Sequence, residues 1–173
     1  MESNKYLEEQ TLDKEIDRIV NTWQSTLLRI CYIHLQDHTL AEDAVQETLI
    51  KAFRNWDSFR KESSEQTWLI RIAINTCKDI QRCNWFHRIN HKITPEMLPE
   101  ATIQPNEENL DLTLAVMNLP IKFREAIILY YYQDMNTVEI SNVLGITQSS
   151  VSNRLKRGRE LLSKALGGRD FDE

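Results

Sequence analysis

The sequence predicts an all-α protein: two small helical domains joined by a flexible linker, the second a helix-turn-helix (winged-helix-like, with no sheet). Three observations carry this. Apolar residues recur at helical spacing through most of the chain. Gly and Pro are scarce, four of each in 173 residues, while Leu, Ile, Glu, Lys and Arg abound. Three of the four prolines (Pro95, Pro99, Pro105) fall where the periodicity lapses, among acidic and polar residues, the signature of a linker. The divisions read from this are residues 1–90, a linker over 91–110, and 111–169.

Taken in order, residues 1–12 read as a frayed, acidic lead-in. With neither a basic start nor an apolar core they form no signal peptide. Ile16, Ile19, Val20, Trp23, Leu27, Ile30 and Cys31 make the stripe of a first helix, broken at Gln36-Asp37-His38. A second helix is expected from about 40 to 56. Its inner face is Ala41, Ala44, Val45, Leu49, Ala52 and Phe53, and Asp43, Gln46, Glu47 and Lys51 lie outward. A polar loop over 57–65 follows, with Ser63 and Gln66 spaced as a capping box. The third helix turns Trp68, Leu69, Ile72, Ala73, Cys77 and Ile80 inward. Arg71, Asn75, Lys78 and Arg82 form a polar, mostly basic stripe on another face. Beyond the linker, Pro120 opens a helix, where its missing N–H is harmless, that ends near Asp134.

Residues 136–166 carry the strongest local pattern. Asn136 and Glu139 suit a capping box, Gly145 stands where a helix end wants a left-handed residue, and Thr147 can cap the next helix. Ile140, Val143 and Leu144 face inward on the first helix, and Val151, Leu155, Gly158 and Leu162 on the second. A glycine inside a helix costs about 1 kcal/mol relative to Ala, which close helix approach at Gly158 would explain. The opposite side presents Gln148, Ser149, Ser152, Asn153, Lys156 and Arg157. Such a helix can place polar side chains on base edges in a major groove. Arg154, Arg159 and Lys164 suit phosphates.

Charge is unevenly spread. The net is −5, yet residues 60–92 carry +4 and residues 145–169 carry +5. Two separated basic islands suggest two contacts with one polyanion. The densest apolar stretch, 126–132, is far short of the roughly 20 residues a membrane span needs, so no membrane insertion is expected and a cytoplasmic site is the default. Cys31, Cys77 and Cys83 form no CxxC pair and read as reduced thiols. Cys83, His87 and His91, and separately His34 and His38, have spacings that permit zinc. No fourth ligand is evident, so neither metal nor cofactor is expected. Nucleophile elbows, phosphate-binding glycine loops and catalytic metal motifs do not occur, and neither catalysis nor a small-molecule substrate is expected.

Three segments in order resemble the extracytoplasmic-function group of sigma factors, in the sigma-70 family. Ala41-Glu42-Asp43-Ala44-Val45-Gln46-Glu47-Thr48 is similar to region 2.2. Trp68-Leu69-Ile70-Arg71-Ile72-Ala73-Ile74-Asn75, with Asp79 and Arg82, is similar to regions 2.3 and 2.4. Leu119-Pro120, Arg124-Glu125-Ala126, Glu139-Ile140, Leu144-Gly145-Ile146, Val151 and Arg154-Leu155 are similar to region 4. The resemblance implies a bacterial alternative sigma factor that binds core RNA polymerase and directs promoter-specific initiation. Asp43, Gln46 and Glu47 would meet the β′ clamp coiled coil, and the second domain the β flap. The loop from Ser58 to Ser64 would capture a base flipped from the −10 element, with Arg60, Lys61, Ser63, Ser64, Arg71, Asn75, Lys78, Asp79 and Arg82 on that strand. Gln148, Ser149, Ser152, Asn153, Arg154, Lys156 and Arg157 would read the −35 element. Gly158 departs from the Ala usual in the family. Members are commonly held by an anti-sigma factor, often membrane-bound. The rival reading is a dimeric helix-turn-helix regulator acting on paired half-sites without polymerase. An RNA-binding helical protein has little support, since no aromatic sheet motif occurs.

Overall fold

The computed structural model describes residues 2–56, 59, 63–83 and 107–167, with side chains for all of these but 2–13 and 107–110. The described residues form seven α-helices and no strand. The first unit is α1 (Glu2–Leu35), α2 (His38–Arg54) and α3 (Glu65–Cys83). The second is α4 (Glu107–Met117), α5 (Ile121–Tyr131), α6 (Thr137–Leu144) and α7 (Gln148–Ala165).

The lead-in expected to fray is helical and belongs to α1, which starts at Glu2. α1 stops at Gln36, which takes a left-handed φ of 57°. Asp37 then caps α2, its carboxylate accepting from Leu40 N at 2.9 Å. The three helices pack each against the other two. Ile19, Leu27, Cys31, Ala41, Ala44, Ala52, Leu69 and Ala73 have no exposed surface. Thr48 joins this core although periodicity left it out; its hydroxyl donates to Ala44 O at 2.6 Å, so no polar atom is stranded. The cap of α3 is Ser64, not Ser63: Ser64 Oγ accepts from Thr67 N at 3.1 Å. Gln66 is thereby released from the expected box.

α3 differs most from expectation. Ile70 and Ile74, which its stripe left outside, are 0% and 2% exposed. α6 packs against this helix from the second unit, and Gln66, one turn before Ile70, meets Gln133 at 3.2 Å. α1 packs against α5 as well. His34 Nε2 lies 2.6 Å from Glu125 Oε1, and Gln36 Nε2 donates to Met117 O at 2.6 Å.

In the second unit, α4 begins at Glu107, inside the span read as linker. Most of that span, and His87 and His91, lie outside the described residues. Pro120 stands just before α5, and α5 ends at Tyr131, short of the expected Asp134. Asp134 instead takes a left-handed φ of 52° in the turn to α6. Arg124 is buried at 5% exposure and also donates to Met117 O. Burial pulls its guanidinium down to about 10, while Glu125 pulls the other way.

Candidate nucleic-acid and polymerase interfaces

The α6–turn–α7 unit is built by local chemistry. Asn136 Oδ1 accepts from Val138 N at 2.9 Å and Glu139 N at 3.0 Å, and Glu139 Oε2 returns a bond to Asn136 N at 2.9 Å. Gly145 holds φ 68°. Open space surrounds the place where its Cβ would be, so backbone conformation alone demands glycine there. Thr147 Oγ1 accepts from Ser150 N at 3.2 Å and starts α7. Val151, Leu155, Gly158 and Leu162 are buried. A Cβ on Gly158 would stand 2.9 Å from Ile127 Cγ1, so α5 and α7 approach through this glycine.

The opposite face of α7 is open. Gln148, Ser149, Ser152, Asn153, Lys156 and Arg157 are all exposed. Several are pre-positioned. Gln148 Nε2 donates to Thr137 Oγ1 at 2.7 Å, tying the two helices together. Ser149 Oγ meets Thr147 Oγ1 at 3.0 Å, and Ser152 Oγ donates to Gln148 O at 3.2 Å. Arg157 pairs with Glu160 at 2.6 Å. Arg154 is half-buried and sits 3.8 Å from Glu125 Oε2, away from the open face.

On α3, Arg71, Asn75, Asp79 and Arg82 are exposed along one side, and Lys78 is half-buried beside them. Asp79 is 3.2 Å from Arg82 and 3.9 Å from Lys51. Trp68 is only partly buried. With Trp56 and Phe59 it makes an aromatic cluster, ring centroids 4.9–5.8 Å apart, at the base of the polar loop. Ser63 is exposed, Ser64 is spent on the helix cap, and Arg60 and Lys61 lie outside the described residues. The loop's exit is anchored by Glu65, which sequence reasoning passed over. Glu65 accepts from Arg18 at 2.6 and 3.2 Å and from Trp23 Nε1. Burial alone would raise its pKa, but these hydrogen bonds and the Arg18 charge hold the carboxyl below its ordinary value. An acid in the first turn of a helix was the available signal.

On α2, Asp43, Gln46 and Glu47 are exposed on one side. Ile50 shares that side and is 43% exposed, so the patch is acidic with an apolar member. The signal was an apolar residue three positions after Glu47 on a polar face. Lys51 connects this patch to α3: Glu47 lies at 3.6 Å, and Lys51 donates to Thr76 Oγ1 at 3.2 Å. Of the histidines read for zinc, His34 is buried against Glu125 and His38 faces Glu42 at 3.5 Å.

Comparison with known proteins supplies the family. The family model for sigma-70 region 2 matches residues 19–87, and that for sigma-70 region 4 matches residues 109–162. The chain is 30% identical over 162 residues to the ECF RNA polymerase sigma factor SigW of Bacillus subtilis, covering 86% of this chain and 87% of that protein. It is 27% identical over 168 residues to the RNA polymerase sigma-H factor of Pseudomonas aeruginosa, covering 88% and 86%. Among solved structures, the sigma factor RpoE in complex with the anti-sigma factor NepR from Bartonella quintana shares the fold. Its TM-score is 0.72 at 24% identity, over 89% of this chain and 98% of that one. With regions 2 and 4 in order on two helical units, the chain belongs to the ECF sigma factors of the sigma-70 family and directs transcription initiation with RNA polymerase.

Proposed function

We propose that this sigma factor divides its work between three surfaces. Asp43, Gln46 and Glu47, with Ile50 among them, dock on the β′ clamp coiled coil, and the second unit meets the β flap. Arg71, Asn75, Lys78, Asp79 and Arg82, with the loop carrying Arg60, Lys61, Ser63 and Ser64, engage the −10 strand. Gln148, Ser149, Ser152, Asn153, Lys156 and Arg157 read the −35 duplex, with Arg154 positioning α7 from behind.

The observation that carries this reading is the separation of faces. The outward side of α3 and the outward side of α7 are both polar and basic, on different units of an acidic chain. Phosphate contacts from Lys and Arg give salt-dependent affinity, and the polar side chains between them supply base discrimination. The acidic α2 patch suits a basic partner surface and sets encounter rate and register. The first unit falls within residues 1–90, and the second takes in 111–167 together with the start of α4 at Glu107. The polymerase supplies the chemistry, and the factor has none of its own.

An anti-sigma factor is a further partner. RpoE of Bartonella quintana, which shares this fold, forms a complex with one, NepR. No described helix is long and apolar enough to cross a membrane, which agrees with action in the cytoplasm, where polymerase is found. The test is transcription in vitro with bacterial core enzyme on a genomic promoter library. The expected result is a distinct set of starts dependent on this chain. Failure to bind core, or starts the same as core alone, refutes the reading.

A further inference from the structure

We propose that Glu65 is a positioning residue for capture of the −10 strand. Clamped to α1 by Arg18 and Trp23, it fixes the first turn of α3, and with it Phe59, Ser63 and Ser64, while its charge is cancelled beside the DNA. This rests on the −10 face assigned above.

Three donors converge on one carboxylate. Arg18 Nη2 reaches Glu65 Oε2 at 2.6 Å and Nη1 reaches Oε1 at 3.2 Å, a two-pronged pairing, and Trp23 Nε1 donates to the same Oε1. Glu15, one turn earlier on α1, steadies Arg18 at 2.7 Å. Glu65 is the first residue of α3. An acid there satisfies the helix dipole while pointing into solvent, so the dipole does not explain why this one is turned onto α1. Nor does stability. α1 and α3 already pack together, with Ile19, Leu27, Cys31, Leu69, Ala73 and Cys77 buried in the core. A pair whose arginine is 45% exposed adds little to that.

What the clamp holds is the support of the −10 face. Ser64 caps α3 through Thr67 N, and Trp68, one turn on, carries Phe59 with ring centroids 4.9 Å apart. Phe59, Ser63 and Ser64 therefore ride on the first turn of α3, and Arg71 and Asn75 follow on the same helix. A turn free to fray would move them together. Tied to α1, it presents them in one arrangement, so less order has to be imposed when DNA binds. Charge is the second part. Burial pulls the pKa of Glu65 up, but its hydrogen bonds and the Arg18 charge more than offset this, so it is ionised at neutral pH. Unpaired, that charge would repel phosphates on this face over about 10 Å at 0.1 M salt. Arg18 cancels it.

The test is anisotropy of a dye-labelled single-stranded oligonucleotide titrated with holoenzyme. The oligonucleotide spans the −10 non-template strand of a promoter found in the transcription screen. Glu65→Gln should weaken binding about threefold to tenfold, the equivalent of about one hydrogen bond. Arg18→Leu leaves a bare carboxylate and should weaken it severalfold more at low salt, an excess that fades as salt rises. The double variant should return to the Glu65→Gln level, and Arg18→Lys, which keeps the charge, should show no such excess. Affinity for core and for a −35 duplex should be unchanged, and circular dichroism confirms that each variant is folded. A clamp that only stabilised the helices would leave folded variants with native affinity for the strand, and that result overturns the proposal. So does a double variant no better than Arg18→Leu, or an equal loss on the −35 duplex. A native holoenzyme that does not bind the oligonucleotide overturns the −10 assignment itself, and the clamp with it.

Discussion

Gly158 is where helix propensity and packing make opposite forecasts. In an open helix, Gly→Ala gains about 1 kcal/mol. Here the new Cβ would stand 2.9 Å from Ile127 Cγ1 and 3.1 Å from Cδ1. Carbon pairs settle at about 3.5–4.0 Å, so Ile127 must leave its rotamer or α7 must retreat from α5. Overpacking of this kind costs about 1–3 kcal/mol. The net expectation for Gly158→Ala is a loss of about 0–2 kcal/mol in the second unit, not a gain of about 1. All four tryptophans (Trp23, Trp56, Trp68, Trp85) precede that unit, so far-UV circular dichroism in urea should report its loss while tryptophan fluorescence follows the first unit. Ile127→Ala alone should cost about 2–5 kcal/mol by leaving a cavity. Combined with Gly158→Ala it should cost at least about 1 kcal/mol less than the sum, because the added methyl enters the vacated space. Stabilisation by the full propensity gain, with no coupling to Ile127, would refute the close-approach argument.

Four further outcomes are expected. Asn136→Ala removes a reciprocal cap and should destabilise the second unit by about 1 kcal/mol in the same urea assay. The advantage of the native chain over Glu65→Gln should be full at neutral pH and shrink as pH falls through and below about 4, because the folded-state carboxyl lies below its unfolded value; a pH-independent gap in acid melts would contradict this. Asn153→Ala should cost about 1–3 kcal/mol on a matched −35 duplex and less on a mismatched one, whereas Lys156→Ala should weaken all sequences alike and lower the salt slope by about 1. Asp43→Lys with Glu47→Lys should slow association with core about tenfold or more, with the effect fading at high salt, as stopped-flow fluorescence would show.

What could be read in advance divides along physical lines. Asn136, Glu139, Gly145 and Thr147 were legible because a cap is made by residues two or three positions apart. The error of one residue between Ser63 and Ser64 is of the same local kind: both serines could cap, and Thr67 N decides. Ile70 and Ile74 were not legible, since the periodicity of α3 shows how one helix folds on its own unit but not that a second unit covers another side. His34 meeting Glu125 has the same character: the two are far apart in sequence, and neither the His34–His38 spacing nor the Arg124-Glu125-Ala126 segment points from one to the other. Arg124 went unread as a buried cation because its partner is a backbone carbonyl, which every residue offers. The outward stripe of α3 and the open face of α7 were legible as patterns of exposure. Arg154 entered the −35 set through the family resemblance, which does not show that Glu125 lies 3.8 Å from its guanidinium.

The carbonyl of Met117 accepts from Gln36 of the first unit and from Arg124 of its own. An oxygen with two lone pairs can serve both at once and can lose one without being stranded. If the units part, Gln36 leaves and water takes its place, while Arg124 still staples the end of α4 to α5. The seam therefore tears on one side only. The second unit then keeps its own corner intact whether or not the first is seated against it, and its shape does not depend on where its companion is.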